Sequence, residues 1–160
     1  MNRSFQSYIF TLLLSLFVVV SVRSEVLRDI AYKPDAATDY ERERCKIDLH
    51  LPDGKSGFAT LVWFHGGSLT TGEKADDIAT AIAKRLNAHG VAVASVNYRL
   101  SPKATFPAYL VDGAAAVAWV RKNIAAHGGD ADRVFVSGHS AGGYLAAMIG
   151  MDAEFLAAHD

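Results

Sequence analysis

Residues 138–142 read Gly-His-Ser-Ala-Gly, between the apolar run Val134-Phe135-Val136 and the small-residue stretch "YLAAMIG". A serine framed in this way suits the sharp turn from a strand into a helix, where only small neighbours fit around a strained residue. Composition alone would produce G-x-S-x-G by chance in about one such chain in fifteen, so the flanking strand and helix carry the inference. They make Ser140 a candidate nucleophile. The same turn puts the Ala141 N–H at the amino end of a helix, where the dipole favours the negative oxygen of a tetrahedral intermediate. Further donors are expected from His65-Gly66-Gly67-Ser68, whose glycines let backbone N–H groups approach a ligand closely.

These residues need elements to bring them together. "VLRDIAYK" and "RCKIDLHL" alternate as strands, the second holding Cys45 and ending at Pro52-Asp53-Gly54. "ATLVWFH" is a continuous apolar run, the mark of a strand covered on both faces. Residues 75–89 carry Ile78, Ile82 and Leu86 at helical spacing, and Gly90 ends that helix. "VAVASVNY" is a further buried strand. Pro107 opens a longer helix whose core stripe is Leu110, Ala114, Val117 and Ile124, stopped at Gly128-Gly129. "RVFVSG" is the next strand, and Ser140 begins the next helix. Alternating strands and helices predict an α/β protein, a parallel sheet with right-handed crossovers. In such sheets the working residues sit at the carboxyl ends of strands. His65-Gly66-Gly67, Asn97-Tyr98-Arg99 and Ser140 all fall there.

"VWFHGGS", "ASVNYRLSPKATFPAYLVDGAAAVAWV" and "GGDADRVFVSGHSAGG" resemble the α/β-hydrolase carboxylesterases, in particular the branch with an HGG oxyanion loop similar to hormone-sensitive lipase and the feruloyl-esterase-like group. The resemblance runs from about residue 44 to 150 and rests on three motifs in the family's order and spacing. It implies a mostly parallel sheet with helices on both faces. It also implies Ser140 as nucleophile, an oxyanion hole from Gly66, Gly67 and Ala141, and no cofactor. Many members carry glycine where this chain has Ser68. By the same resemblance the "YRL" segment and the helix bearing Asp112 are scaffold, and an Arg99–Asp112 ion pair is expected.

A serine nucleophile needs a histidine to take its proton and a carboxylate to orient that histidine. In this fold both follow the serine, acid first. After Ser140 come Asp152, Glu154 and Asp160 as acids and His159 as the one histidine. A helix rising about 1.5 Å per residue carries the chain roughly 15 Å away within ten residues, which places none of them well. His139 precedes the serine, where successive side chains diverge, and His65 belongs to the oxyanion loop. His89 and His127 end helices next to glycine, and His50 lies in the early strand. The reading is therefore of an incomplete fold, residues 25–160 being the amino-terminal part of a catalytic domain with the acid and histidine strands absent. Its last strand is expected to present an apolar edge to water.

The 160 residues are 51% apolar and 21% charged with a net charge of −1, a globular composition with no pull toward nucleic acid. Residues 1–24 hold one early arginine and an apolar run from Ile9 to Val22, then Val22 and Ser24 at signal-peptidase spacing. That run is shorter than the roughly 20 residues of a membrane span, so the expectation is a cleaved signal and export to the periplasm or medium. Cys45, alone, can form no disulfide within the chain. No histidine spacing suggests a metal. The reaction class expected is hydrolysis of a small-molecule or polymer-linked ester through an acyl-Ser140 intermediate. The alternatives are an amidase or peptidase of the same fold, and an inert fragment or non-catalytic relative. Oligomeric state is left open.

Overall fold

A computed structural model describes residues 25–152 and 154–157. Five strands form one sheet in the order β1-β2-β4-β3-β5. They are β1 Glu25–Ala31, β2 Lys46–Leu51, β3 Phe58–Phe64, β4 Ala92–Val96 and β5 Gly129–Gly138. The sheet is mixed. β3 runs parallel to β4 and β5, while β2 is antiparallel to both β1 and β4. The parallel trio is the part that presents residues 65–67, 97–99 and 140 at one end, as the strand ends require. β5 borders the described sheet, with Phe135 exposed.

Helices cover both faces. The helix α2 (Asp77–Ala88) lies on one face, where Ala79 and Ala83 pack against Trp63 and Val93. On the other, α3 (Ala108–Asn123) and α4 (Ala141–Met151) bury Leu110, Ala116, Val120, Leu145 and Ile149 with Val62, Phe64, Ile47 and Val96. Parity along β3 sorts the two cores, because successive side chains point to opposite faces. The expected stripe Leu110, Ala114, Val117 and Ile124 is fully buried, and a short 3-10 turn, Ile124–His127, extends α3 to Gly128 at φ 88°. A last short helix, α5 (Glu154–Ala157), packs against α3.

Two details differ from the sequence reading. Ile78 faces outward at 43% exposure, and α2 instead buries Ala79 and Ala83 so that it lies close to the sheet. Cys45 is not in a strand. It caps the carboxyl end of α1 (Asp39–Arg44), a short helix begun by a capping box in which Thr38 and Glu41 satisfy each other's backbone N–H. A six-residue amphipathic turn gives little periodicity, so Thr38-Asp39-Tyr40-Glu41 is its one sequence signal.

Candidate active site

The turn from β5 to α4 is built around close backbone contacts. Ser140 is held at φ 53°, ψ −116°, outside the regions open to most side chains. Such a conformation costs on the order of 1–3 kcal/mol and persists only where surroundings enforce it. Here the enforcement is visible. The His139 N–H donates to the Phe64 carbonyl at 3.1 Å, the Gly142 N–H to the His139 carbonyl at 2.9 Å, and the Tyr144 N–H to the Ser140 carbonyl at 3.1 Å. A Cβ on Gly138 would lie 2.4 Å from the Gly142 carbonyl group, and one on Gly142 would lie 2.0 Å from the Phe64 oxygen. The two glycines of the motif are thus steric requirements of β5, α4 and β3 meeting. Ser140 itself precedes α4, which begins at Ala141, and its side chain is exposed and makes no capping bond.

The 65–72 loop closes against this turn. A Cβ on Gly66 would sit 3.4 Å from Ser140 Cβ, 3.1 Å from the His139 carbonyl oxygen and 2.9 Å from the His139 ring, so the Gly66 backbone lies beside the serine. Gly67 takes φ 110°, which glycine adopts readily, and its carbonyl accepts from the N–H groups of Thr70 and Thr71, both at 3.0 Å. Ser68 and Leu69 follow at φ 55° and 62°. A glycine at position 68 would suit that φ better than serine does. Ser140, Ala141, Gly66 and Gly67 therefore converge at the carboxyl ends of β3 and β5.

His65 is buried beneath the loop rather than facing the serine. Its Nδ1 meets the Gly66 carbonyl at 2.6 Å, and its ring stacks on Tyr98 at 4.4 Å between centroids. Burial lowers its pKa, which keeps the ring neutral at pH 7. Its Nε2 has no partner among the described residues. The Tyr98 hydroxyl donates to the His65 carbonyl at 2.8 Å.

The three residues after β4 each tie down a different element. Asn97 receives the Lys74 N–H at 2.6 Å and donates to Glu73 at 2.6 Å. Tyr98 holds His65. Arg99 makes the expected two-pronged pair with Asp112, at 2.7 and 2.8 Å. Around that pair, Glu41 meets Arg99 at 3.2 Å and Lys33 at 2.5 Å, and Lys33 reaches Asp112 at 3.2 Å. Two cations and two carboxylates so balance one another under α3. Arg44, Glu73 and Lys33 were not singled out from sequence. Their partners lie far along the chain, and no local spacing marks them.

The acids after the serine are carried off. Asp152 caps the far end of α4 and Glu154 opens α5, roughly 16 Å along an 11-residue helix from Ser140. His159 and Asp160 lie outside the described residues. His50 lines a separate groove of about 460 Å³ with Arg28, Lys84 and Asn87, away from the elbow. His89 caps α2, and His127 ends the 3-10 turn. Among the described residues no group of three or more His, Cys, Asp or Glu side chains could hold a metal ion. No helix among them is long and apolar enough to cross a membrane.

An exposed hydroxyl in a strained turn, at a helix amino end and against a glycine loop, is an arrangement suited to acyl transfer. The BD-FAE family profile matches residues 47–157, which span both motifs. The chain belongs to the BD-FAE family of α/β-hydrolases. It is 41% identical over 127 residues to esterase LipQ of Mycobacterium tuberculosis, covering 78% of this chain and 29% of LipQ. A truncated carbohydrate esterase from gut microbiota superposes with a TM-score of 0.68 at 29% identity, covering 79% of this chain and 43% of that one. A bacterial heroin esterase gives 0.62 at 31% identity, over 83% of this chain and 40% of that one. The chain spans under a third of the length of the curated relatives it matches, 27% and 29% of the first two.

Proposed function

We propose that this BD-FAE chain carries the nucleophile and oxyanion hole of a carboxylic ester hydrolase. The observation that carries the reading is Ser140 at φ 53°, exposed at the start of α4 with the Gly66 backbone against it. Ser140 Oγ attacks the ester carbonyl carbon as its proton passes to a histidine base. The carbonyl oxygen becomes an oxyanion accepting from the Ala141 N–H and from the backbone N–H groups of Gly66 and Gly67. Collapse expels the alcohol and leaves acyl-Ser140, which water then hydrolyses. Each donor of such a hole is worth about 10²–10³ in rate. His65 is not the base, since it is buried with Nδ1 on the Gly66 carbonyl. Among the described residues no histidine ring meets a carboxylate beside Ser140.

The substrate class is a small-molecule or polymer-linked ester. The similarity to an esterase and to a carbohydrate esterase supports this reading. We also propose export, on the apolar run Ile9 to Val22 with Val22 and Ser24 after it. Sequencing the amino terminus of protein recovered from the periplasm or medium tests that, and a retained Met1 would refute it. The serine reading is tested with a fluorophosphonate probe and a chromogenic acetate ester. Wild-type protein made from the whole natural reading frame should label at Ser140 and Ser140→Ala should not. A folded wild type that stays unlabelled, or equal labelling of both, would overturn it.

A further inference from the structure

We infer that Arg44 is a positioning residue for the oxyanion loop. This rests on the ester-hydrolase reading of Ser140 and goes beyond it. Arg44 stands at the end of α1, far from the serine in sequence, with its side chain only 8% exposed. Its guanidinium spreads over three partners. It pairs with Glu73, donates from Nη2 to the Gly72 carbonyl at 3.0 Å, and donates from Nε to the Tyr98 carbonyl at 3.2 Å.

Both carbonyl contacts lead to the same turn by separate routes. Gly72, at φ 111°, packs so tightly that a Cβ there would fall 2.3 Å from His65 Nδ1 and 2.4 Å from the Gly66 carbonyl oxygen. Tyr98 holds the other side, stacking on the His65 ring and donating its hydroxyl to the His65 carbonyl. His65-Gly66 is thereby clamped between two segments that one guanidinium joins. Gly66 in turn lies against Ser140 and His139. Glu73 is fixed independently by Asn97, so the cation is anchored at its far side too. An arginine suits this role because its planar fork serves several acceptors in fixed directions, which a lysine ammonium cannot do.

The role predicts a loss confined to the chemical step. With Arg44→Met the carbonyls of Gly72 and Tyr98 lose their common donor, the loop relaxes, and the Gly66 and Gly67 N–H groups drift from the oxyanion position. The experiment is phosphonylation of Ser140 by a fluorophosphonate over a range of concentrations, read by intact mass. The limiting first-order rate in Arg44→Met is expected to fall tenfold or more while the half-saturating concentration stays within twofold. Arg44→Lys should recover part of that rate. Phe58→Ala, at the opposite end of β3, is the comparison for a purely structural loss: it lowers the fraction labelled but not the rate of the fraction that labels.

Hydrogen exchange over residues 64–72, independent of serine chemistry, should quicken in Arg44→Met beyond any change in β1 and β2. A limiting rate within twofold of wild type overturns the inference, as does an equal slowing in Phe58→Ala. Should Arg44→Met not fold, Arg44→Lys read against Phe58→Ala decides on the same criteria. An unlabelled wild type overturns the ester-hydrolase reading itself, and the oxyanion role of Arg44 with it.

Discussion

Alanine at Gly142 should be far more damaging than alanine at Gly143, one residue along the same helix. A Cβ on Gly142 falls 2.0 Å from the Phe64 carbonyl oxygen and 2.6 Å from that of His65. Carbon–oxygen contact becomes comfortable near about 3.3 Å, so the elbow must retreat from β3 by roughly 1.3 Å. Overpacking costs about 1–3 kcal/mol where side chains give way. Here both clashing oxygens belong to the backbone leaving an inner strand, which puts the cost at about 3 kcal/mol or more. On Gly143 the nearest atom to a new Cβ is the Gly138 oxygen at 3.4 Å, an ordinary contact. Alanine there gains up to about 1 kcal/mol of helix propensity. The two variants should therefore differ by about 3–4 kcal/mol, with Gly142→Ala melting some 10–15 °C below wild type on the usual size scaling. Urea unfolding followed by circular dichroism measures both. A Gly142→Ala protein within about 1 kcal/mol of wild type, or a Gly143→Ala equally impaired, would refute the steric account of the elbow.

Other outcomes follow from the same contacts. Ser68→Gly should stabilise the chain by about 0.5–1 kcal/mol, since a left-handed residue with a Cβ costs about 1–2 kcal/mol and glycine returns part of that as unfolded-chain entropy; a raised urea midpoint checks it. Asp112→Asn leaves Arg99 and Lys33 short of a fully buried counter-charge and should cost about 3–5 kcal/mol. A double-substitution cycle with Arg99→Met should show coupling above about 1 kcal/mol, and no coupling would reject the pair. The Lys33 ammonium holds Glu41 down at about 2, below its usual 4.5. The folded value being the lower one, this stabilisation is complete above about pH 4.5 and fades as pH falls toward 2. Glu41→Gln should flatten that limb of the stability–pH curve.

The alternation of buried strands and helices was legible because β3, β4 and α3 carry long apolar runs whose period is set by burial. So was the elbow, since Gly138 and Gly142 are both steric necessities and part of a recognisable spacing. The Arg99–Asp112 pair came through the family resemblance and was met in the structure. What could not be read was the support behind the loop. Arg44 meets Glu73, and Lys33 meets Asp112, across separations that only the folded sheet closes. Ile78 misled because helical spacing names a face without saying which residues on it are small enough to approach the sheet. In α2 the answer was alanine.

The Phe64 carbonyl has a consequence for the order of events in folding. It accepts the His139 N–H and is the surface against which Gly138 and Gly142 are pressed, yet it lies some 75 positions upstream. At about 5–20 residues per second, a ribosome emits Phe64 roughly 4–15 s before the segment that needs it. Once made, Ser140 has nothing to hold its backbone out of the common conformations until β5 finds that carbonyl. The strain arises only when β5 docks beside β3, a non-local pairing and so among the slower steps. The nascent chain thus carries an ordinary serine, and the completed sheet is what strains it.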